Sequence, residues 1–217
     1  SLFFEAFRVK HPERVPSFFS KNEILKIENS VSRSSAVGKR NYAMTLLASR
    51  LGLRASDIAN LQFGDIDWDN SLITLTMKKT QKVIQLPLLT EVGNAIIDYL
   101  KNGRPRSNLK SVFLSSRAPY TGVTKACVCA AINGIIVRSG VDINLKHHGP
   151  HSLRHSLASA MLQDETSLPV ISESLGHRHT DTTMMYLKID ITSLMKCALS
   201  VPSVSEGFYT QRGGAFY

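Results

Sequence analysis

The apolar positions of this chain recur mostly at helical spacing, and the first helix has a clear start signal. Ser20 and Glu23 have the Ser-x-x-Glu spacing of a capping box, and Ile24, Ile27 and Val31 follow on one helical face. A helix is therefore expected to begin at this point. The same periodicity predicts further helices at about 37–51, 90–102, 123–139, 151–164, 167–175 and 181–198.

The period changes between the second and the third of these helices. Residues 72–77 and 83–86 are rich in β-branched and apolar side chains, and polar turn residues separate the two runs. They predict a small antiparallel sheet, and Gly52 is the expected stop of the helix before it. The apolar residues 112–114 are interpreted as a short strand or a link. The expected fold class is mainly α with a small antiparallel β-sheet, an α+β fold.

The net charge of the chain indicates which class of molecule it binds. Lys and Arg outnumber Asp and Glu by 26 to 17 among 217 residues, which gives a net charge of +9 and a pI near 9.6. This balance favours a polyanion such as nucleic acid, although it leaves RNA and membrane surfaces open. No apolar run approaches the roughly 20 residues that span a bilayer, so we expect a cytoplasmic protein. The odd number of cysteines predicts buried reduced thiols at Cys127, Cys129 and Cys197.

The first candidate motif is LGLRASD at residues 51–57. It places Arg54 at a helix junction, with Asp57 three residues later. A guanidinium in such a position suits the binding of a phosphate, because its planar fork donates two hydrogen bonds and stays charged. The alternative is that Arg54 pairs with Asp57 on a surface turn, where an ion pair contributes little.

The second motif is PHSLRH at residues 150–155. Pro150 suits a first helical turn, and helical spacing places His151, Arg154 and His155 on one face, with Leu153 on the other. The helix is therefore expected to bury its leucines and to present a cationic face. A histidine with a purely structural role is the alternative. The neighbouring His147 and His148 raise the possibility of a metal site, but no carboxylate motif accompanies them and Pro150 interrupts their helical pairing.

The third motif, LGHRHTDTTMMY at residues 175–186, is the most specific in the chain. Gly176 is expected to end one helix, and Thr180 or Asp181 could cap the next. Tyr186 would then lie on that second helix, nine positions after His177. Taken alone, a tyrosine after a threonine-rich turn is more often a packing residue than a catalytic one.

The order of these three motifs resembles that of the tyrosine recombinases, the phage integrase family. The resemblance spans roughly residues 10–190 and implies an enzyme that cleaves and rejoins DNA. In this family the residues matching Arg54 and Arg154 hold the scissile phosphate, and the residue matching His177 donates a further hydrogen bond. The residue matching His151 is the candidate base, and the one matching Tyr186 is the nucleophile that forms a 3′-phosphotyrosyl bond.

The resemblance also implies a catalytic lysine on the hairpin between the two strands. Lys79, eight residues before Pro87, fits best, and Lys82 is the alternative. A solvated basic turn is a third interpretation. The sequence KKT at residues 78–80 departs from the Gly-Lys-Gly hairpin that is common in the family, which leaves the choice of lysine open. Asp57 is expected to support the cluster by orienting it.

The family resemblance also sets expectations for organisation and partners. Residues 1–15 would be a linker from an upstream DNA-binding region, residues 16–199 the catalytic domain and residues 200–217 a C-terminal tail. The expected partner is double-stranded DNA at a specific recombination site, bound by a homotetramer whose tail contacts a neighbouring protomer. No metal ion or other cofactor is expected, and the protein would act at the nucleoid. A type IB topoisomerase and a non-catalytic basic DNA-binding module are the rival interpretations.

Overall fold

The computed structural model describes residues 18–144 and 148–176. Within these residues the chain forms seven α-helices and one small sheet, which confirms the expected α+β fold class. In chain order the elements are α1 (Lys21–Asn29), α2 (Ala36–Arg50), α3 (Ala55–Asn60), a short 3-10 helix (Phe63–Asp65), β1 (Ile66–Asp67), β2 (Leu72–Thr76), β3 (Val83–Pro87), α4 (Thr90–Asn102), α5 (Lys125–Arg138), α6 (Pro150–Gln163) and α7 (Leu168–Ser174).

Local sequence signals account for the start of α1 and the end of α2. The backbone N–H of Ser20 donates to Glu23 Oε2 at 2.8 Å, and the Ser20 hydroxyl accepts from the N–H of Glu23 at 3.3 Å. The capping box is therefore confirmed. Helix α2 ends at Arg50, and Gly52 follows at φ +62°, a left-handed conformation that glycine adopts without steric cost. The six-residue helix α3 was not predicted, because it is too short to show a periodic pattern.

The three strands form an antiparallel sheet in the order β1-β2-β3. Strands β2 and β3 make a hairpin in which Thr74 is opposite Gln85. Alternate residues of these strands are buried, namely Ile73, Leu75, Ile84 and Leu86, as a sheet with one face on the core requires. Residues 112–114 form a link with an isolated bridge rather than a strand.

Helix α2 lies at the centre of the core. It packs against α4, α5 and α6, and its Met44 and Leu47 side chains are completely buried. A smaller apolar cluster of Ala158, Ile171 and Leu175 holds α7 against α6. Burial of these side chains supplies the main driving force for keeping the helices together. The packing brings the ends of α2, α6 and α7 close to one another.

Some predictions fall outside the described residues. These are the helix at about 181–198, the linker at 1–15, the tail at 200–217 and the environment of Cys197, so the proposed domain boundaries stay predictions. Within the described residues Cys127 and Cys129 are free thiols, but both are half-buried rather than buried, because each packs only partly against the core. None of the helices in the described part of the chain is long and apolar enough to cross a membrane.

Candidate functional site: a cationic cleft

A cleft of about 550 Å³ lies where the start of α3, the β2–β3 turn, α5 and the start of α6 meet. Four predicted site residues line it together: Arg54, Lys79, His151 and Arg154. Its described lining also contains Lys78 and Lys125 and no Asp or Glu. Three segments that are more than 20 residues apart in sequence, carrying Arg54, Lys79 and Arg154, therefore contribute to one cationic surface. His177 and Tyr186 lie outside the described residues.

The backbone around Gly52 brings Arg54 to this cleft. A Cβ atom added at Gly52 would lie 2.7 Å from Leu175 Cδ2 and 3.1 Å from Leu157 Cδ2, so a larger residue cannot fit without displacing both leucines. Two residues later, Arg54 is the N-cap residue of α3, and its carbonyl accepts from the N–H of Ile58 at 3.0 Å. The guanidinium Nη1 donates to the Sδ atom of Met77 at 3.2 Å.

Asp57 connects α3 to the hairpin. Its carboxylate Oδ1 accepts a hydrogen bond from the backbone N–H of Lys78 at 2.9 Å. Asp57 is only 3% exposed, so the interpretation of this motif as an ion pair on a surface turn is wrong. The buried acceptor holds the first residue of the turn that carries Lys79. This contact is compatible with the predicted supporting role, which stays a prediction.

The lysine side chains of the β2–β3 hairpin line two different hollows. Lys78 and Lys79 line the cationic cleft, whereas Lys82 lines a separate hollow between β3 and α7. The turn between them is closed by hydrogen bonds from Met77 N–H to the Lys82 carbonyl and from Gln81 N–H to the Met77 carbonyl, both at 2.8 Å. Lys79 therefore lies beside the other candidate residues and Lys82 does not, while the catalytic role of Lys79 stays a prediction.

Helix α6 presents less charge to solvent than its sequence predicted. Leu153 is buried and His151 is exposed, as expected, but Arg154 and His155 are buried as well, at 2% and 8% exposure. The expected cationic face is therefore wrong for these two residues. Arg154 is buried because it has internal partners: Nη1 donates to the Gly52 carbonyl at 2.6 Å, and Nη2 donates to the Leu175 carbonyl. Such charge-assisted hydrogen bonds offset the cost of desolvation.

The position of His151 favours its neutral form. Although part of the His151 ring is exposed to solvent, the protein atoms packed around the rest of it lower its pKa below the ordinary value by desolvation, and the positive charges of Arg154, Arg54 and Lys79 lower the pKa further. A neutral imidazole can accept a proton, which a permanently protonated one cannot. The His151 ring also contacts the ring of His155 edge to face, with 4.2 Å between the ring centroids.

Comparison of the sequence with known proteins identifies the family to which the chain belongs. The model of the phage integrase family matches residues 17–192. The chain belongs to the phage integrase family. The integrase/recombinase y4rA of Sinorhizobium fredii is 38% identical over 193 residues, which cover 88% of this chain and 46% of that protein. A second relative from Sinorhizobium fredii, y4gC, is 34% identical over 189 residues, which cover 87% of this chain and 97% of that protein.

The integrase fold is also found by comparison of structures. A crystal structure of XerA recombinase superimposes with a TM-score of 0.72 at 22% identity, over 86% of this chain and 65% of that one. XerH site-specific recombinase, bound to a palindromic difH substrate in a post-cleavage complex, gives a TM-score of 0.70 at 22% identity, over 85% of this chain and 53% of that one. At this identity the similarity establishes the fold of the chain.

One side of this integrase cleft was missed by the sequence analysis. Lys125, Cys129 and Asn133 follow one another at intervals of four residues on α5, and all three line the cleft. A four-residue spacing places side chains on one helical face, so the signal was present in the sequence. It was missed because α5 is also rich in apolar residues. Among the described residues, the buried Oδ1 atom of Asn133 has no hydrogen-bond partner.

The histidine-rich loop before α6 supplies one further residue to the integrase cleft. His148 lines it, while His147 lies outside the described residues. Across residues 18–144 and 148–176, no group of three or more His, Cys, Asp or Glu side chains is arranged to hold a metal ion. The predicted absence of a metal site therefore stays a prediction.

The integrase chain is expected to lose stability in weak acid through His155. Burial, with smaller effects from His151 and Arg154, lowers the pKa of His155 from 6.5 to about 4. Between these values the unfolded chain binds a proton that the folded chain does not. The contribution of His155 is therefore complete above pH 6.5 and decreases by about 3 kcal/mol as the pH falls to 4. Urea unfolding at pH 7 and pH 4.5 measures this loss.

Carboxylates also titrate in this range, so variants are needed to assign the effect. His155→Asn should show a smaller fall in the free energy of unfolding than the wild type. His148→Asn is the matched control, because His148 is exposed, and it should behave like the wild type. An equal fall in all three proteins would show that His155 does not titrate as its burial requires.

Proposed function

We propose that this chain is the catalytic part of a site-specific tyrosine recombinase, which cleaves and rejoins DNA through a 3′-phosphotyrosyl intermediate at Tyr186. The observation that carries the proposal is the convergence of Arg54, Lys79, His151 and Arg154 on one cleft. Membership of the phage integrase family supports it and favours a recombinase over a topoisomerase.

The chemistry requires stabilisation of negative charge on the phosphate. Arg54 and Arg154 would bind the two non-bridging oxygens, and His177 would donate a further hydrogen bond. Preorganised donors of this kind stabilise the charge that develops in the transition state, because they need no reorganisation when the bond breaks. Two N–H groups of Arg154 already bond to carbonyls of Gly52 and Leu175, which holds its guanidinium in a fixed orientation at the cleft.

Proton transfer needs a base and an acid in the same cleft. Tyr186 would attack the phosphorus in line, and its phenolic proton would go to His151, whose pKa is lowered so that it stays neutral. Lys79 would donate a proton to the departing 5′ oxygen. The phosphotyrosyl bond conserves the phosphodiester, so the 5′ hydroxyl of another strand could attack it and release Tyr186. The scheme uses neither ATP nor a metal ion.

Double-stranded DNA is the proposed substrate and partner. The net charge of +9 and the cationic lining of the cleft favour a polyanion. Among the structural neighbours, XerH and the Tn1549 transposon integrase are both in complexes with DNA. We further propose that the protein assembles as a homotetramer on its site and acts at the nucleoid in the cytoplasm. These finer proposals rest on the family resemblance.

Covalent capture on a nicked DNA substrate tests the proposal directly. A nick beside the scissile phosphate lets the short product diffuse away, so the intermediate accumulates as a denaturant-resistant adduct. We expect an adduct that forms in EDTA and whose digested peptide carries the nucleotide on Tyr186. A fully metal-dependent adduct would instead implicate the histidines near 147–151. Relaxation of supercoiled DNA without strand exchange would favour a topoisomerase.

A further inference from the structure

Met77 occupies the junction between the phosphate-binding arginine and the hairpin. The side chain is completely buried, and its Sδ atom accepts a hydrogen bond from Arg54 Nη1 at 3.2 Å. Its backbone closes the turn that carries Lys79, through hydrogen bonds with Lys82 and Gln81. Met77 therefore contacts the side chain of one site residue and the turn of another.

The other side of Met77 faces the turn after α7. Gly176 has φ +59°, and a Cβ atom added there would collide with the Sδ atom of Met77. The backbone of this turn thus packs directly on the thioether. The preceding residue, Leu175, accepts a hydrogen bond from Arg154 through its carbonyl. The turn that leads into His177 is therefore held by Arg154 on one side and by Met77 on the other.

The thioether of Met77 affects the Arg54 guanidinium differently from a carboxylate at the same position. It is a neutral and weak acceptor, so it can orient a guanidinium without neutralising its charge. A carboxylate would form a strong ion pair with Arg54 and would compete with the phosphate for its N–H groups. The acid of the same motif, Asp57, accepts instead from the backbone of Lys78. Met77 thus contacts the guanidinium of Arg54 without contributing a negative charge of its own.

We propose that Met77 is a positioning residue that acts through Arg54. Its thioether sets the orientation of the guanidinium, and the same side chain fixes the Leu175–Gly176 turn relative to it. The inference rests on the proposed function, because it assigns to Arg54 the binding of the scissile phosphate. Met77 itself touches neither the DNA nor the reacting atoms.

The test compares Met77→Leu and Met77→Gln with the wild type in single-turnover cleavage of the nicked substrate at saturating protein. Met77→Leu keeps an apolar side chain of similar volume but has no acceptor for Arg54. We expect it to slow adduct formation about tenfold, which corresponds to ~1.4 kcal/mol of barrier, with the dissociation constant for intact DNA unchanged. Met77→Gln restores an acceptor at similar reach and should recover most of the rate.

Met44→Leu is the matched control, because Met44 is equally buried but lies in the core on α2. It should cleave like the wild type and should show how much stability a buried Met→Leu change costs. Cleavage by Met77→Leu at the rate of Met44→Leu would overturn the proposal. If Met77→Leu is slow and also unstable, recovery in Met77→Gln supports the proposal and its absence overturns it. Failure of the wild type to form any adduct would instead reject the proposed function.

Discussion

Replacing Tyr186 with phenylalanine is expected to abolish the covalent protein–DNA adduct completely. Phenylalanine keeps the ring but lacks the oxygen that forms the bond to phosphorus, and water cannot substitute for it in a covalent intermediate. Binding of intact DNA should persist, because the cationic residues of the cleft are unchanged. The measurement is a denaturing gel of the nicked-substrate reaction, together with a binding assay on the same protein.

Tyr120→Phe is the matched control for this experiment. Tyr120 is 44% exposed and lines a different hollow, with Arg40 and Arg104, so its hydroxyl has no part in the cleft. The control should form the adduct at the rate of the wild type. An adduct of undiminished yield in Tyr186→Phe would show that another residue is the nucleophile. Loss of DNA binding in Tyr186→Phe would show that the substitution disturbs more than the chemistry.

Lys79→Ala is expected to slow cleavage of ordinary DNA by roughly 10²–10⁴-fold, the usual contribution of a general acid. The 5′ oxygen leaves poorly as an alkoxide, so it needs a proton from Lys79. When sulfur replaces this bridging oxygen, the leaving group is a thiolate, which departs without protonation because a thiol is far more acidic than an alcohol. Cleavage of the sulfur substrate by Lys79→Ala should therefore approach the rate of the wild type.

Lys82→Ala separates the two candidate lysines of the hairpin. Lys82 lines the hollow between β3 and α7 rather than the cleft, so its removal should leave cleavage of both substrates nearly unchanged. The opposite result, in which the sulfur substrate rescues Lys82→Ala and not Lys79→Ala, would assign the acid to Lys82. Equal defects on both substrates would show that Lys79 binds the phosphate and does not transfer a proton.

Local patterns predicted the helices and the hairpin because their causes are local. The capping box at Ser20 satisfies backbone groups within four residues, and the alternation in β2 and β3 follows from one face of the hairpin being buried. The motifs around Arg54, His151 and Arg154 were recognisable for a related reason, since they depend on spacing within single segments. Their convergence on one cleft could only be inferred from the family resemblance.

Other features depend on contacts between distant segments. The sequence of α6 predicts a cationic face, yet Arg154 is buried because the carbonyls of Gly52 and Leu175, 102 and 21 residues away, accept its hydrogen bonds. Nothing in the chain near Arg154 reveals these acceptors. The different positions of Lys79 and Lys82 also depend on tertiary structure, because the two lysines are three residues apart and yet line different surfaces.

The sequence by itself determined the fold class, the start of α1, the end of α2 and the hairpin. Together with the family resemblance it also supplied the candidate residues of the site, although it left the choice between Lys79 and Lys82 open. Periodicity, capping and motif spacing are properties of short segments, so they can be read from the sequence without knowledge of the tertiary structure. Only the tertiary structure decided which side chains share the cleft, that Asp57 and Arg154 are buried, and that Met77 lies between Arg54 and Gly176. These features arise from packing between segments far apart in sequence, where burial and hydrogen-bond partners are set by neighbours that no local pattern encodes.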